Sequence, residues 1–209
     1  MARDQSKASA RVLTIPNLLT LLRLLIIPFF IAASLRGSFK TAFILFVVAA
    51  VTDSFDGFIA RNFNQRSRLG ALFDPAADKV MMVCGYLYYT IGDNVAVPIP
   101  VWLTFVILLR DVGIAAFAYL LYTRIHISRF PPSWAGKAST IIQAITLAVV
   151  IGANAFAPRL ATALDVLFRV VVVMTLYSGY GYLRRGRRQL DEVAALELGG
   201  LPPLSSPKT

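Results

Sequence analysis

The apolar residues of this chain fall into six long, nearly uninterrupted segments, near 17–35, 41–60, 71–92, 100–122, 137–157 and 161–183. Each approaches the roughly 20 residues that an α-helix needs to cross a bilayer. Pro16-Asn17 marks the start of the first, since proline fits a first helical turn. The connections are short: Arg36-Gly37-Ser38, Asp93 to Pro98, and Ala157-Pro158-Arg159. Short connections make consecutive helices antiparallel neighbours. No internal repeat and no second domain stands out. The pattern predicts an all-α, polytopic membrane protein with six transmembrane helices in one membrane domain over 1–188, its basic N-terminal segment 1–16 included. Residues 189–209 end in a Pro/Ser/Gly-rich stretch and are expected to be a disordered tail. Residues 1–14 read either as a solvated tail or, from Arg11, as the beginning of an interfacial helix. No small-residue cleavage site follows the first apolar run, which is therefore expected to be a retained span.

Composition supports the membrane reading. Of 209 residues 57% are hydrophobic and only 15% charged, against roughly 25% charged in a soluble domain, and the mean hydropathy is +0.66. The net charge of +10, from 21 basic and 11 acidic residues, would suggest nucleic acid in a soluble protein. Here the bases cluster at the ends of apolar runs, which points to lipid headgroups and topology instead. Arg3, Lys7 and Arg11, then Arg61, Arg66 and Arg68, then Arg124 and Arg129, and finally Arg184, Arg185, Arg187 and Arg188 share one side of a six-span protein. The other side has Arg36, Lys40 and Arg159. The positive-inside rule puts both termini in the cytoplasm. The lone cysteine, Cys84, excludes an intrachain disulfide and reads as an inert thiol in an apolar run.

One polar interruption breaks the pattern. Between Thr41–Val51 and Val80–Ile91 lie four carboxylates, Asp53, Asp56, Asp74 and Asp78. Asp53 and Asp56 share a helix face at i, i+3, and Asp74 and Asp78 share one at i, i+4. If the two helices are neighbours, the four acids converge at the cytoplasmic end of spans two and three. Gly57, Ala60 and Gly70 are small enough to let helices approach or to leave room for a ligand. Ionisable groups at membrane depth are costly and usually functional. Four carboxylates near one point repel unless divalent cations supply compensating charge. Oxygen donors without nearby His or Cys favour Mg²⁺ or Mn²⁺. Two such ions suit phosphate chemistry, one polarising the phosphoryl group and the other activating the attacking oxygen. The competing reading is a solvated interface in which these acids pair with Arg61, Arg66, Arg68 and Lys79.

The spacing Asp53-x-x-Asp56-Gly57-x-x-Ala60-Arg61, then Gly70-x-x-x-Asp74-x-x-x-Asp78, resembles the full signature of the CDP-alcohol phosphatidyltransferases, with every specified position filled. The resemblance implies transfer of a phosphatidyl group from CDP-diacylglycerol to an acceptor alcohol, with CMP leaving. It implies that Asp53, Asp56 and Asp74 are metal ligands and that Asp78 is a further ligand or the catalytic base. It places Asp53, Gly57, Ala60, Arg61 and Gly70 in the CDP site. It also implies two Mg²⁺ or Mn²⁺ ions, a homodimer in the cell membrane, and a site facing the cytoplasm, where CTP-derived donors are made.

Ile15-Pro16-Asn17 through Arg23 and Leu72-Phe73-Asp74-Pro75 through Lys79 are similar to both the phosphatidylglycerophosphate synthase and cardiolipin synthase branches of that family, while Gly136-Lys137-x-x-Thr140-x-x-Gln143, and similarly Tyr177-Ser178-Gly179, resemble the glycerol-phosphate enzymes. Arg110 in span four and Lys137 at the start of span five are the candidates for binding an acceptor phosphate. The alternatives are an ion pair to another helix for Arg110 and a snorkelling interface lysine for Lys137. Arg23 and Arg169 carry the same ambiguity. Arg110 is followed by Asp111 where phosphatidylglycerophosphate synthases typically have Glu, and Ala118 and Tyr119 stand where a second arginine would. That departure leans toward phosphatidylglycerol as acceptor, as in a cardiolipin synthase. The Gly-Lys segment leans toward glycerol-3-phosphate, which is the favoured acceptor here. A cation transporter is the competing class. It fits less well, because the acids sit at one end of two spans and no repeat is visible.

Overall fold

The computed structural model describes residues 15–62, 68–125 and 134–197. They form six α-helices: α1 (Ile15–Leu35), α2 (Phe39–Asn62), α3 (Arg68–Ile91), α4 (Val101–Ile125), α5 (Trp134–Phe156) and α6 (Ala161–Glu197), with a 3₁₀ turn at Pro158–Leu160. No strand occurs among the described residues. The six apolar segments thus coincide with the six helices to within a few residues at most ends. Two of them, α5 and Leu164–Arg187 of α6, are long and apolar enough to cross a membrane by length and composition.

One expectation needs correction. The tail expected from residue 189 overlaps α6, which continues through Glu197. Leu190, Asp191, Glu192, Val193, Ala194, Ala195, Leu196 and Glu197 contain no glycine or proline, and the breakers Gly199, Gly200 and Pro202 come only afterwards. Residues 198–209 and 1–14 lie outside the described residues, as does His126. The helix α3 also passes through Pro75 without a break.

The chain divides into two compact units. The first comprises residues 1–104 and 144–167. In it α1 packs on both α2 and α3, around Phe30, Ala42, Phe46, Ala49, Tyr86 and Tyr89, all nearly inaccessible. The turn after α1 is set by Gly37, whose φ of 70° is left-handed. Gly37 N–H bonds to the Ser34 carbonyl at 2.9 Å and Ser38 N–H to the Ala33 carbonyl at 2.9 Å, a Schellman closure. Tyr88 and Asn94 bond to the Ser34 carbonyl and so hold the end of α1 from α3 and its following loop. That loop is anchored in turn by Asn154 of α5. Asn154 Oδ1 accepts from Val97 N–H at 2.9 Å, and its Nδ2 donates to the Val97 carbonyl at 3.0 Å and the Val150 carbonyl at 2.9 Å. Leu147 of α5 fits against Gly85 so closely that a Cβ there would lie 2.6 Å from Leu147 Cδ2.

The second unit comprises residues 105–143 and 168–209. Phe117 of α4 meets Tyr182 of α6 edge to face at 6.0 Å between centroids. The missing side chain at Gly186 makes room for Phe117, whose Cε1 would lie 2.0 Å from an added Cβ. Buried polar side chains hold α5 and α6 together, Ser139 and Gln143 of α5 meeting Thr175 of α6, while Val170, Val173, Leu176, Tyr177, Tyr180 and Leu183 lie exposed along α6. Polar groups inside and large apolar ones outside suit a hydrocarbon solvent.

Replacing Asn154 by Leu would strand the Val97 amide and carbonyl in a buried position. A loss of about 3 kcal/mol in unfolding free energy is expected, to be read from thermal or denaturant unfolding of the purified protein.

Candidate active site

A cation in the middle of an apolar helix must find anions, and Arg23 does so twice. It lies near the midpoint of α1, and its side chain is 1% exposed. Its Nη2 is 2.9 Å from Asp53 Oδ1 on α2, and its Nη1 donates to Asp78 Oδ1 on α3 at 2.7 Å. The first and last acids of the polar interruption, separated by a connection and less than half of each helix, therefore meet at one guanidinium. Helix formation puts each acid on its face, and the packing of α1 on both partners brings the faces together.

The side chains of Asp53 and Asp78 are each 41% exposed, so the cluster is buried on the Arg23 side and open on the other. One positive charge against two carboxylates leaves the pair net negative. Hard oxygen donors with residual negative charge and outward access fit Mg²⁺ or Mn²⁺. Among the described residues no group of three or more metal-ligating side chains forms. Two of the expected ligands, Asp56 on α2 and Asp74 on α3, have side chains outside the described part, as do Gly57, Ala60, Arg61 and Gly70.

The ambiguity over Arg23 and Arg169 resolves unevenly. Arg169 is exposed, whereas Arg23 is buried in the acid cluster. The signal for Arg23 was its depth in an apolar run, which requires a partner, but the partner's identity lay in other helices. In the second unit Arg110 is 11% exposed; its Nη1 donates to Asp111 Oδ1 at 2.8 Å and its Nη2 to Ser178 Oγ on α6 at 2.7 Å. Its partner across helices is thus a hydroxyl, and its ion pair is with its own chain neighbour. Gly179 lies alongside, where an added Cβ would sit 3.7 Å from Arg110 Cγ. One helical stretch away, Gln143 Nε2 donates to Thr175 Oγ1 at 3.0 Å and to Ser139 Oγ at 3.3 Å. Lys137 is exposed in the first turn of α5, its Nζ 5.8 Å from the centroid of Trp134. Cys84 is a free, half-buried thiol.

The family model for CDP-alcohol phosphatidyltransferase matches residues 13–177, a span that includes Arg23, all four aspartates, Arg110 and Lys137. The chain belongs to the CDP-alcohol phosphatidyltransferase family. It is 36% identical over 183 residues to the CDP-diacylglycerol–glycerol-3-phosphate 3-phosphatidyltransferase of Escherichia coli (strain K12), covering 84% of this chain and 96% of that one. It is 31% identical over 195 residues to the "Probable phosphatidylglycerophosphate synthase" of Mycobacterium tuberculosis (strain CDC 1551 / Oshkosh), covering 90% and 89% of the two chains. A third relative, the human cardiolipin synthase (CMP-forming), is 33% identical over 196 residues, which cover 86% of this chain and 64% of that one. This phosphatidyltransferase carries the family's aspartate spacing complete, and its fold joins two of the four acids through α1.

The buried hydroxyl–amide group of the second unit gives a simple check. Thr175→Val keeps the shape and removes the acceptor of Gln143 Nε2, and should lower stability by about 1–2 kcal/mol in thermal unfolding.

Proposed function

We propose that this phosphatidyltransferase moves the phosphatidyl group of CDP-diacylglycerol to the hydroxyl of glycerol-3-phosphate and releases CMP. The observation that carries the reading is the meeting of Asp53 and Asp78, from α2 and α3, at one point with an open side. The acceptor is supported by the Escherichia coli relative named for glycerol-3-phosphate, which this chain matches over nearly its whole length. The acceptor oxygen forms a bond to the lipid-side phosphorus, the bond from that phosphorus to the CMP oxygen breaks, and CMP leaves with the electron pair. Asp78 takes the proton of the acceptor hydroxyl. Asp53, Asp56, Asp74 and Asp78 would hold two Mg²⁺ or Mn²⁺ ions. Bound there, these ions supply the charge neutralisation that phosphoryl transfer depends on. Gly57, Ala60, Arg61 and Gly70 surround the cytidine diphosphate end of the donor. Arg110 and Lys137 receive the acceptor phosphate. Arg110 suits that task because its fork is already oriented by Asp111 and Ser178.

The enzyme works as a homodimer in the cell membrane, with six spans and both termini in the cytoplasm. The membrane topology is supported by the clustered basic residues on one side and by the exposed apolar faces of the helices, and the homodimer by the family resemblance alone. A second reading, phosphatidylglycerol as acceptor, is favoured by the Arg110-Asp111 pair and by the likeness to the human cardiolipin synthase.

The deciding experiment is an acceptor panel with CDP-diacylglycerol and Mg²⁺ or Mn²⁺, products resolved by mass. Glycerol-3-phosphate should support CMP release, and chelation should abolish it. Release with phosphatidylglycerol alone would reassign the acceptor, and failure of every alcohol in the panel to support release would end the enzyme reading. Asp78→Asn should lower kcat about 100-fold or more, as loss of a general base does. Ser178→Ala should raise KM for glycerol-3-phosphate roughly tenfold, by freeing one arm of Arg110, with the KM for CDP-diacylglycerol unchanged.

A further inference from the structure

We propose that Arg23 is the positioning residue of the metal-ligating carboxylates: it holds Asp53 and Asp78 by one oxygen each and stays on them when metal is bound. The proposal rests on the reading of these acids as metal ligands.

Three structural observations lead to it. The guanidinium uses separate arms for the two acids, Nη2 for Asp53 and Nη1 for Asp78. A planar fork can span two carboxylates in this way, whereas an ammonium is a single point charge. Second, the geometry is sided. Arg23 is 1% exposed while both acids are 41% exposed, so the guanidinium approaches from inside the helices and leaves the outer side open to an incoming cation. Third, Arg23 has nowhere to go. Ile26 and Ile27, one turn further along the same face of α1, are buried at 8% and 6%, and Phe30 at 0%. Pulling the guanidinium off its acids in that setting would break two ion pairs of a buried charge, which is costly. An arriving divalent ion therefore adds to the arrangement without displacing Arg23.

The consequence is chemical as well as mechanical. Carboxylates that would splay apart by mutual repulsion are kept aimed at a common point before metal arrives. Contacts of this kind, one bond removed from the metal, typically change metal affinity by about 10–100-fold. The positive charge of Arg23 opposes metal binding, so the direction of the effect is itself informative: positioning predicts weaker binding on its removal, and simple charge competition predicts tighter binding.

The test uses the full chain in lipid nanodiscs and Mn²⁺ alone as probe, with free Mn²⁺ followed by electron paramagnetic resonance. Wild type should bind Mn²⁺, Arg23→Met should bind it about 10–100-fold more weakly, and Arg23→Lys should recover part of the loss. Equal or tighter binding by Arg23→Met overturns the proposal while leaving the metal reading standing. Absence of Mn²⁺ binding by wild type overturns both. If Arg23→Met does not fold, ¹⁵N-arginine protein carrying Arg61→Lys gives a readout with Arg23 intact. Electron–nuclear double resonance should then show a guanidinium nitrogen coupled to the bound Mn²⁺, and absence of that coupling overturns the proposal.

Discussion

A guanidinium withdrawn from solvent needs anions within reach, and Arg23 finds them on two different helices, Asp53 at 2.9 Å and Asp78 at 2.7 Å. Much else in the first unit serves that meeting. The end of α1 is closed by Gly37 and held by Tyr88 and Asn94, and the loop carrying Asn94 is itself fastened to α5 by Asn154. With its far end fixed, α1 lies in one register against α2 and α3, and Arg23 falls level with both acids. Deep pairs of this sort contribute little net stability, because desolvation consumes the Coulomb gain, yet breaking one is costly. Their effect is to specify which helices meet and where.

Two polar constellations differ in kind. The acid cluster is sided, buried toward Arg23 and open beyond it, and its donors are hard oxygens. The Arg110 group in the second unit is a cation held ready, its fork oriented by a neighbouring carboxylate and by the Ser178 hydroxyl. A family that moves a charged phosphatidyl group needs both types: anionic oxygen donors for cations, and fixed cations for phosphate. In the proposed function the aspartates would meet the first need, and Arg110 with Lys137 the second.

The helices were legible in the sequence because an α-helix satisfies its backbone polar groups within its own segment, so long apolar runs bounded by polar, Gly or Pro residues become helices of matching length, and all six did. The C-terminal end of α6 was missed because Leu190 to Glu197 is polar enough to resemble a tail while lacking any residue that stops a helix. The chemistry was legible for a related reason. Asp53, Asp56, Gly57, Ala60, Arg61, Gly70, Asp74 and Asp78 lie within one short stretch of the chain, so the family signature reduces to spacing along it. Arg23 was visible only as an anomaly, since its partners are contributed by other helices.

Local sequence determined the helices, their approximate ends, the aspartate signature and the family. Those properties follow from backbone satisfaction, helical period and residue spacing, all of which act over a few turns. Tertiary structure alone decided that Arg23 joins Asp53 to Asp78, that Arg110 turns to Asp111 and Ser178, and that Gly85 and Gly186 admit Leu147 and Phe117. Such pairings depend on helix register and crossing, which the shapes of whole packed faces set together and no single segment encodes.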